Sequence, residues 1–391
     1  MESFFNRHTI KDLLTLICIS LAITFLIWLP HLFKLQNFWG LNFSNGFDTI
    51  YRNFDGLEYI IIAKTFYSPQ LLAQIPQPLP ASYFPSHFVG FPILIAIFAP
   101  LLGYLKSMLF VSIFFTTAST IAFYFLIKDF KLTNHPLWLS ILFLILPARW
   151  VIVHSIGSPE PMFIFFTIAT IYFFKKFEDS NQKIFLLYTG IMASLAQLTR
   201  PPGILIFIAL FLYLLNKQIK KKNIKNIILL PISYFPLFLV PLTLFSIFYL
   251  FQIQMGDFFA YFHSGDNIHL TIPPFQVFNK YQFWVGDIWL EDIIYIFILT
   301  LLGGLMLLKT NLKVAGYFVL TYFAATILVA HRDIARYILP TAPFILIAFE
   351  KVLISKEFKI VMAILATAIY FYSQNFLIEN VVSVSNLSVF D

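Results

Sequence analysis

The feature that most constrains this chain is a series of apolar runs long enough to cross a lipid bilayer. Hydrocarbon about 30 Å thick is crossed by a helix of about 20 mainly apolar residues. The runs, uncharged except for Arg149, cover residues 13–29, 107–127, 137–153, 161–174, 184–199, 203–216, 227–251, 293–308, 314–330, 337–349 and 360–378. They predict an all-α polytopic membrane protein with about 11 transmembrane helices, within a range of roughly 10 to 13.

Composition excludes the other broad classes of protein. Of the 391 residues, 59% are hydrophobic and only 12% are charged, whereas about a quarter of the residues of a soluble domain are charged. A disordered chain needs the opposite balance, with few apolar and many charged residues. The single Cys18 leaves no disulfide framework and no cysteine-based metal site.

The distribution of basic residues predicts which loops face the cytoplasm. Residues 88–104 form a further apolar run that contains Pro92 and Pro100. If this run does not span, 17 of the 26 Lys and Arg residues fall in loops on the side of the N-terminus. Basic loops face the cytoplasm, so we expect 88–104 to be re-entrant or to lie along the membrane. The net charge of +7 then reflects topology and implies no nucleic-acid partner.

This topology predicts one transmembrane domain over residues 1–391, with an uncleaved first span, the N-terminus inside and the C-terminus outside. Two large outside loops cover about 34–106 and about 252–292, and the first is expected to carry helices at the membrane surface. Short charged loops at 154–161 and 331–336 lie on the same face. Because the inside loops are plain Lys- and Asn-rich connectors, we expect chemistry on the non-cytoplasmic face.

Two carboxylates in the first outside loop are candidates for that chemistry. Asp55 and Glu58 are three residues apart, so on a helix they share a face. A carboxylate at a membrane surface suits a general base that takes a proton from a hydroxyl. The alternative is a capping pair, with Asp55 at the N-cap of a helix and Glu58 at its third position.

The same segment resembles a known family signature. Asp55, Tyr59, Ile62-Ala63 and Tyr67 follow the pattern W-D-x-x-x-Y-x-x-I-A-x-x-G-Y. This pattern is similar to that of the GT-C superfamily of integral-membrane glycosyltransferases, above all the second mannosyltransferase of glycosylphosphatidylinositol assembly and its bacterial relatives. Phe54 replaces the usual Trp and Phe66 replaces the usual Gly. The resemblance implies a GT-C-like fold and makes Asp55 the catalytic acid of the first outside loop.

Four further stretches resemble the same family in the same order, so that the likeness covers roughly residues 45 to 345. They are Tyr83-Phe84-Pro85 leading into 88–104, Ser158–Phe163 with Glu160, Leu198–Gly203 with Arg200, and Arg336–Pro340. We expect Glu58 and Glu160 to orient the acceptor or the sugar, and Arg200 and Arg336 to bind phosphate, a task that Arg332 could share. A guanidinium suits that task because it is always charged and grips phosphate with two donors.

Each of these residues has a structural alternative. Glu160 follows Ser158 and Pro159, a typical helix start, and so it can serve as a cap. Arg200 and Arg336 can be interfacial side chains that set the depth of a helix. Arg149, beside Trp150, is expected to be an interface anchor, and the aromatic residues Tyr281, Trp284 and Trp289 are expected to belong to the aromatic belt.

One histidine spacing suggests a metal ion. His263, Asp266 and His269 form an H-x-x-D-x-x-H pattern, but the neighbouring Gly and Pro residues predict a loop, where spacing alone fixes no geometry. We therefore expect His263 to contact a sugar or acceptor, and we expect no metal site and no cofactor.

The predicted function is inverting transfer of a sugar, mannose by the resemblance, from a polyprenyl-phosphate donor to an acceptor hydroxyl. The partners expected are that donor, a glycan, lipid or protein acceptor, and membrane lipids. The Phe-, Ile-, Lys- and Asn-rich composition favours a prokaryotic plasma membrane, with the endoplasmic reticulum as the eukaryotic counterpart. The alternatives are a membrane transporter or flippase of lipid-linked sugars, disfavoured by spans that are almost free of charge, and a catalytically silent subunit of a larger complex.

Overall fold

The computed structural model describes residues 7–222, 227–264, 270–285, 290–384 and 386–391. Within these ranges the chain is helical and forms only isolated β-bridges. The α-helices are α1 Arg7–Leu32, α2 Asp48–Tyr51, α3 Gly56–Thr65, α4 Pro69–Leu72, α5 Gly90–Leu102, α6 Tyr104–Asp129, α7 Pro136–Ile145, α8 Ala148–His154, α9 Glu160–Ser180, α10 Lys183–Thr199, α11 Ile204–Lys220, α12 Leu230–Ser233, α13 Leu239–Met255, α14 Ala260–His263, α15 Glu291–Leu307, α16 Lys313–Thr326, α17 Ile334–Tyr337, α18 Ala342–Ala348, α19 Glu350–Leu353 and α20 Lys356–Glu379. Short 3₁₀ turns cover Ala81–Ser86, Pro201–Gly203, Phe235–Phe238, Gln276–Phe278, Phe283–Val285, Leu339–Thr341 and Leu387–Phe390.

The prediction of an all-α membrane protein is confirmed. In the part of the chain that the structure describes, five helices are long and apolar enough to cross a membrane, or six if α7 and α8 together form one span. Helices also cover the other predicted apolar runs, but these helices are shorter or carry more charge. The count of about 11 spans therefore stays a prediction.

Two predicted spans are broken rather than continuous. The run 137–153 is bent by 76° between α7 and α8, where Leu146 is extended and Pro147 cannot donate a helical hydrogen bond. The run 227–251 is interrupted at Tyr234, which separates α12 from Phe235–Met255, and this second part is itself long enough to cross a membrane. Apolar composition alone did not show these breaks.

The first large loop, predicted to lie outside, folds into short helices around α3. The residues Ile60, Ile61 and Ile62 are at most 2% exposed, because α3 packs between α5 and α6. The 13 residues of α5 span about 20 Å at 1.5 Å per residue, which is less than the hydrocarbon thickness of about 30 Å. The length of α5 therefore agrees with a helix that does not cross the membrane by itself.

The C-terminal segment packs back onto this loop. The side chain of Asn53 donates to the carbonyl of Leu377 in α20 at 2.9 Å, and Val382 N donates to Arg52 O at 2.9 Å. Lys64 Nζ, at the end of α3, donates to Val389 O at 3.0 Å. Residues distant in sequence thus hold the segment that contains Asp55 in place.

Candidate active site

Asp55 lies at the N-cap position of α3, but its side chain makes no capping hydrogen bond. Instead its Oδ2 accepts a hydrogen bond from Arg336 Nη2 at 2.9 Å, and His87 Nε2 lies 3.9 Å from the same oxygen. About a third of the Asp55 side chain, 32%, remains exposed. The carboxylate is therefore held by cations and accessible, whereas the capping alternative describes only its backbone position.

Glu160 begins α9 and is completely buried. Its Oε1 accepts from Arg336 Nε at 2.7 Å and lies 3.2 Å from Arg200 Nη1. Its Oε2 accepts a hydrogen bond from the Ser158 hydroxyl. Glu160 thus starts a helix, as the capping alternative expects, yet its carboxylate is turned to two arginines and away from the helix N–H groups.

Arg336 and Arg200 both turn inward. Their side chains are only 12% and 14% exposed, and each pairs with Glu160. An interfacial side chain that sets helix depth would direct its charge to water or lipid headgroups. The two arginines are therefore part of a buried ionic cluster with Asp55 and Glu160, which we call the carboxylate–arginine cluster.

The charges of this cluster set the protonation of the two carboxylates on α3. Burial favours the neutral form of Asp55, but Arg336 and His87 outweigh it and hold the pKa of Asp55 below its usual value. Burial, reinforced by the charge of Asp55, raises the pKa of Glu58 to about 8. Glu58 is 9% exposed, and its Oε2 has no hydrogen-bond partner among the described residues. At neutral pH Asp55 is thus ionised, whereas Glu58 is protonated.

The turn after α10 brings Arg200 to Glu160. Pro201 and Pro202 end the helix, and Gly203 lies so close to it that a Cβ there would be 2.4 Å from Gln197 Cα. Only a residue without a side chain allows this approach. The Leu198–Gly203 motif therefore has a direct geometric role in the cluster.

A sequence profile of the dolichyl-phosphate-mannose-protein mannosyltransferase family matches residues 86–249. The crystal structure of ArnT from Cupriavidus metallidurans bound to undecaprenyl phosphate is similar over 90% of this chain, with a TM-score of 0.59 and 12% identity. The apo structure of the same protein is similar over 90% of this chain, with a TM-score of 0.55 and 14% identity.

The chain has the fold of the ArnT structures, and the family profile matches less than half of its length. The chain spans 63% of the length of the ArnT chains that it matches, and no curated protein sequence matches it significantly. The GT-C fold predicted from the motifs is thereby confirmed, and the chain is an integral membrane protein.

Two of the predicted binding residues make their contacts outside the carboxylate–arginine cluster. His263 Nδ1 is 2.6 Å from Asp257 Oδ2, and its side chain is 65% exposed. The Arg332 guanidinium lies 5.7 Å from the centre of the Phe283 ring. Their roles in binding stay predictions.

Two expectations about interfacial side chains are wrong. Trp284 is 5% exposed and donates to Val277 O at 2.9 Å, so it belongs to a small core of the protein and not to an aromatic belt. Arg149 is not a simple interface anchor, because its Nη2 pairs with Asp333 at 3.1 Å and its side chain is 13% exposed. Tyr281 is 83% exposed, which agrees with the belt interpretation.

The predicted alternative of a metal site depends on residues beyond the described ranges. Asp266 and His269 lie outside the described residues, as does Trp289. In the ranges that are described, no three His, Cys, Asp or Glu side chains are placed to hold one metal ion. The expectation that no metal or other cofactor is needed stays an expectation.

Sequence reasoning missed His87 and the contacts of Phe54. His87 lies two residues after the Tyr83-Phe84-Pro85 stretch, and its ring packs edge-on against Tyr59 at 5.0 Å. The only available signal was the proximity of His87 to a motif. The ring of Phe54, which occupies the position of the usual Trp, lies 4.3 Å from the Arg336 guanidinium carbon.

Proposed function

We propose that this protein is an inverting glycosyltransferase that moves a sugar from a polyprenyl-phosphate donor to an acceptor hydroxyl on the non-cytoplasmic side. The observation that carries the proposal is the carboxylate–arginine cluster. It combines one accessible ionised carboxylate with two guanidinium groups at a predicted membrane surface. These are the charges that transfer from a lipid phosphate requires.

Asp55 is the proposed general base. It removes the proton of the acceptor hydroxyl as that oxygen attacks the anomeric carbon, and the bond from the anomeric carbon to the phosphate oxygen breaks. The leaving group is a polyprenyl phosphate, which needs positive charge more than a proton donor. Arg336 and Arg200 supply that charge, and protonated Glu58 offers a hydrogen-bond donor to the sugar or acceptor.

The resting site keeps Asp55 weakly basic, because Arg336 lowers the pKa of this carboxylate. A donor phosphate beside Arg336 competes with Asp55 for the same guanidinium donors. Negative charge next to Asp55 also raises its pKa. Donor binding is thus proposed to make Asp55 a stronger base at the time when the acceptor is attacked.

An apolar groove offers a place for the lipid part of the donor. It has a volume of about 890 Å³ and is lined by α1, α6 and α9. None of the cluster residues lines it, but Phe110 at its wall packs against Phe98 of α5 with ring centres 4.9 Å apart. We place the prenyl chain in this groove, with its phosphate directed toward the cluster. Mannose as the sugar and a prokaryotic plasma membrane as the location belong to the same proposal.

Incubation of purified protein with radiolabelled polyprenyl-phosphate sugars and candidate acceptors tests the function. Wild type is expected to transfer or hydrolyse label from at least one donor, and Asp55→Asn is expected to lose that activity. Asp48→Asn is the matched control, because Asp48 is an exposed carboxylate of the same loop. Normal turnover by Asp55→Asn would contradict the assignment of Asp55 as the general base. Movement of donor across vesicle membranes without transfer would favour a flippase.

A further inference from the structure

Two aromatic rings lie between Arg336 and a second buried arginine, Arg149. The Arg336 guanidinium carbon is 4.3 Å from the centre of the Phe54 ring. Phe54 stacks on Phe376, with ring centres 5.4 Å apart and planes 28° apart. On the far side, the Arg149 guanidinium carbon is 4.0 Å from the centre of the Phe376 ring. These four side chains form a continuous column, which we call the arginine–phenylalanine stack.

An ion pair closes the stack into a ring of contacts. Arg149 Nη2 lies 3.1 Å from Asp333 Oδ1. The backbone carbonyl of Asp333 in turn accepts from Arg336 N at 3.0 Å. Arg149 therefore holds the beginning of the segment that carries Arg336, while Phe54, which stacks on Phe376, packs against the guanidinium of Arg336. Contacts that start from Arg149 therefore lead both to the backbone of Arg336, through Asp333, and to its side chain, through the two rings.

Phe54 is held in an unusual backbone conformation. Its φ of +49° lies in the left-handed region, which a bulky side chain rarely occupies. Such a conformation persists only where surrounding contacts enforce it, and it clusters at functional sites. Because Asp55 follows directly, the conformation that directs the Phe54 ring to Arg336 also sets the direction of the Asp55 backbone.

We propose that Phe54 and Phe376 are positioning residues that hold the guanidinium of Arg336 between Asp55 and Glu160. A guanidinium is attracted to the face of an aromatic ring. When Phe54 covers one face, the N–H groups along the edge stay free to donate to the two carboxylates. The rings act through Arg336, and the kinetic part of the inference rests on the proposed function.

Kinetic measurements separate positioning from simple stability. Phe54→Leu and Phe376→Leu are each expected to lower kcat about tenfold, since the transition-state charge loses its fixed partner. Arg336 also keeps the pKa of Asp55 low, so the acid limb of kcat/KM should move to higher pH in both variants. Phe54→Trp should recover most of the activity, because indole presents a larger aromatic face. Phe25→Leu is the control, since Phe25 is 53% exposed on α1.

An unchanged pH profile in Phe54→Leu, or a Phe54→Trp variant no better than Phe54→Leu, would overturn the proposal. If Phe376→Leu does not fold, Phe376→Met takes its place, because it keeps apolar bulk and removes the aromatic face.

A readout independent of activity distinguishes this inference from the proposed function. Thermal unfolding compares Phe54→Leu in the wild-type background and in the Arg336→Met background. The drop in melting temperature that Phe54→Leu causes is expected to be at least halved in the Arg336→Met background, because the two side chains interact. Additive effects would overturn the positioning role. If the effects of the two substitutions are not additive but the protein transfers sugar from no donor, the positioning role is supported and the proposed function is contradicted.

Discussion

Arg336 Nη2 donates to Asp55 Oδ2 at 2.9 Å across a separation of 281 residues. The same guanidinium donates through Nε to Glu160 Oε1 at 2.7 Å. A single cation thus joins a carboxylate of the first large loop to a carboxylate at the start of α9. Any change at Arg336 should therefore affect the site and the folding of two distant parts of the chain.

Arg336→Gln is expected to destabilise the protein and to abolish transfer. The substitution leaves the completely buried Glu160 with Arg200 as its cationic partner, and removal of one member of a buried ion pair costs about 3–5 kcal/mol. Arg336→Lys should be intermediate, because an ammonium replaces the charge but not the fork of two donors. Thermal unfolding in detergent measures the effect. Arg332→Gln serves as the stability control, and equal melting temperatures for the two Gln variants would contradict the bridging role.

Glu58→Gln is expected to alter the dependence of stability on pH. In the folded protein the pKa of Glu58 is about 8, whereas its usual value is 4.5. Between these values the folded protein keeps a proton that the unfolded chain has lost, so stability declines as the pH rises through this window. Melting temperatures measured from pH 5 to pH 9 should fall less steeply in Glu58→Gln than in wild type. Parallel curves would show that Glu58 titrates normally.

The raised pKa of Glu58 also predicts that the proposed transferase activity declines at alkaline pH. Deprotonation near pH 8 removes a hydrogen-bond donor and adds a negative charge beside Asp55. The ratio kcat/KM, which reports ionisations of the free enzyme, is expected to fall above that pH in wild type. In Glu58→Gln this decline should disappear. Asp48→Asn is the control and should keep the wild-type profile.

The fold and several members of the carboxylate–arginine cluster could be predicted from the sequence for a physical reason. A charge is costly in an apolar chain, so each Asp, Glu or Arg outside the basic loops stands out. Asp55, Glu160, Arg200 and Arg336 stand out in this way and also lie in the family-like motifs, and the structure brings all four into one cluster. The all-α membrane architecture followed from run length alone.

The partners of these charges could not be obtained in the same way. Whether Asp55 caps a helix or meets Arg336 depends on a contact between residues 281 positions apart, which no local pattern encodes. The stack of Phe54 on Phe376 is equally non-local. In a chain with 49 Phe residues, composition cannot indicate which two meet. The bend at Pro147 could not be predicted from hydropathy, because hydropathy does not depend on the direction of the helix axis.

The orientation of the site in the membrane is open to a labelling test. In a Cys18→Ser background, Gln74→Cys places a thiol in the first large loop and Ser180→Cys places one at the end of α9; both positions are exposed. A membrane-impermeant maleimide added to intact cells should label the Gln74→Cys variant. The Ser180→Cys variant should react only after the membrane is permeabilised. The reverse pattern would put Asp55 on the cytosolic side and remove the proposed donor geometry.

Gly203→Ala is expected to weaken transfer through its effect on Arg200. A Cβ at this position would lie 2.4 Å from Gln197 Cα, a backbone atom that cannot move without shifting the end of α10. Overpacking of this kind costs about 1–3 kcal/mol, and the displaced turn carries Arg200 away from Glu160. Gly303→Ala is the matched control, since a Cβ there would meet its nearest atom at 3.4 Å. We expect kcat to fall about tenfold or more in Gly203→Ala and to stay near the wild-type value in Gly303→Ala. Equal rates in the two variants would show that the close approach of this turn has no part in holding Arg200.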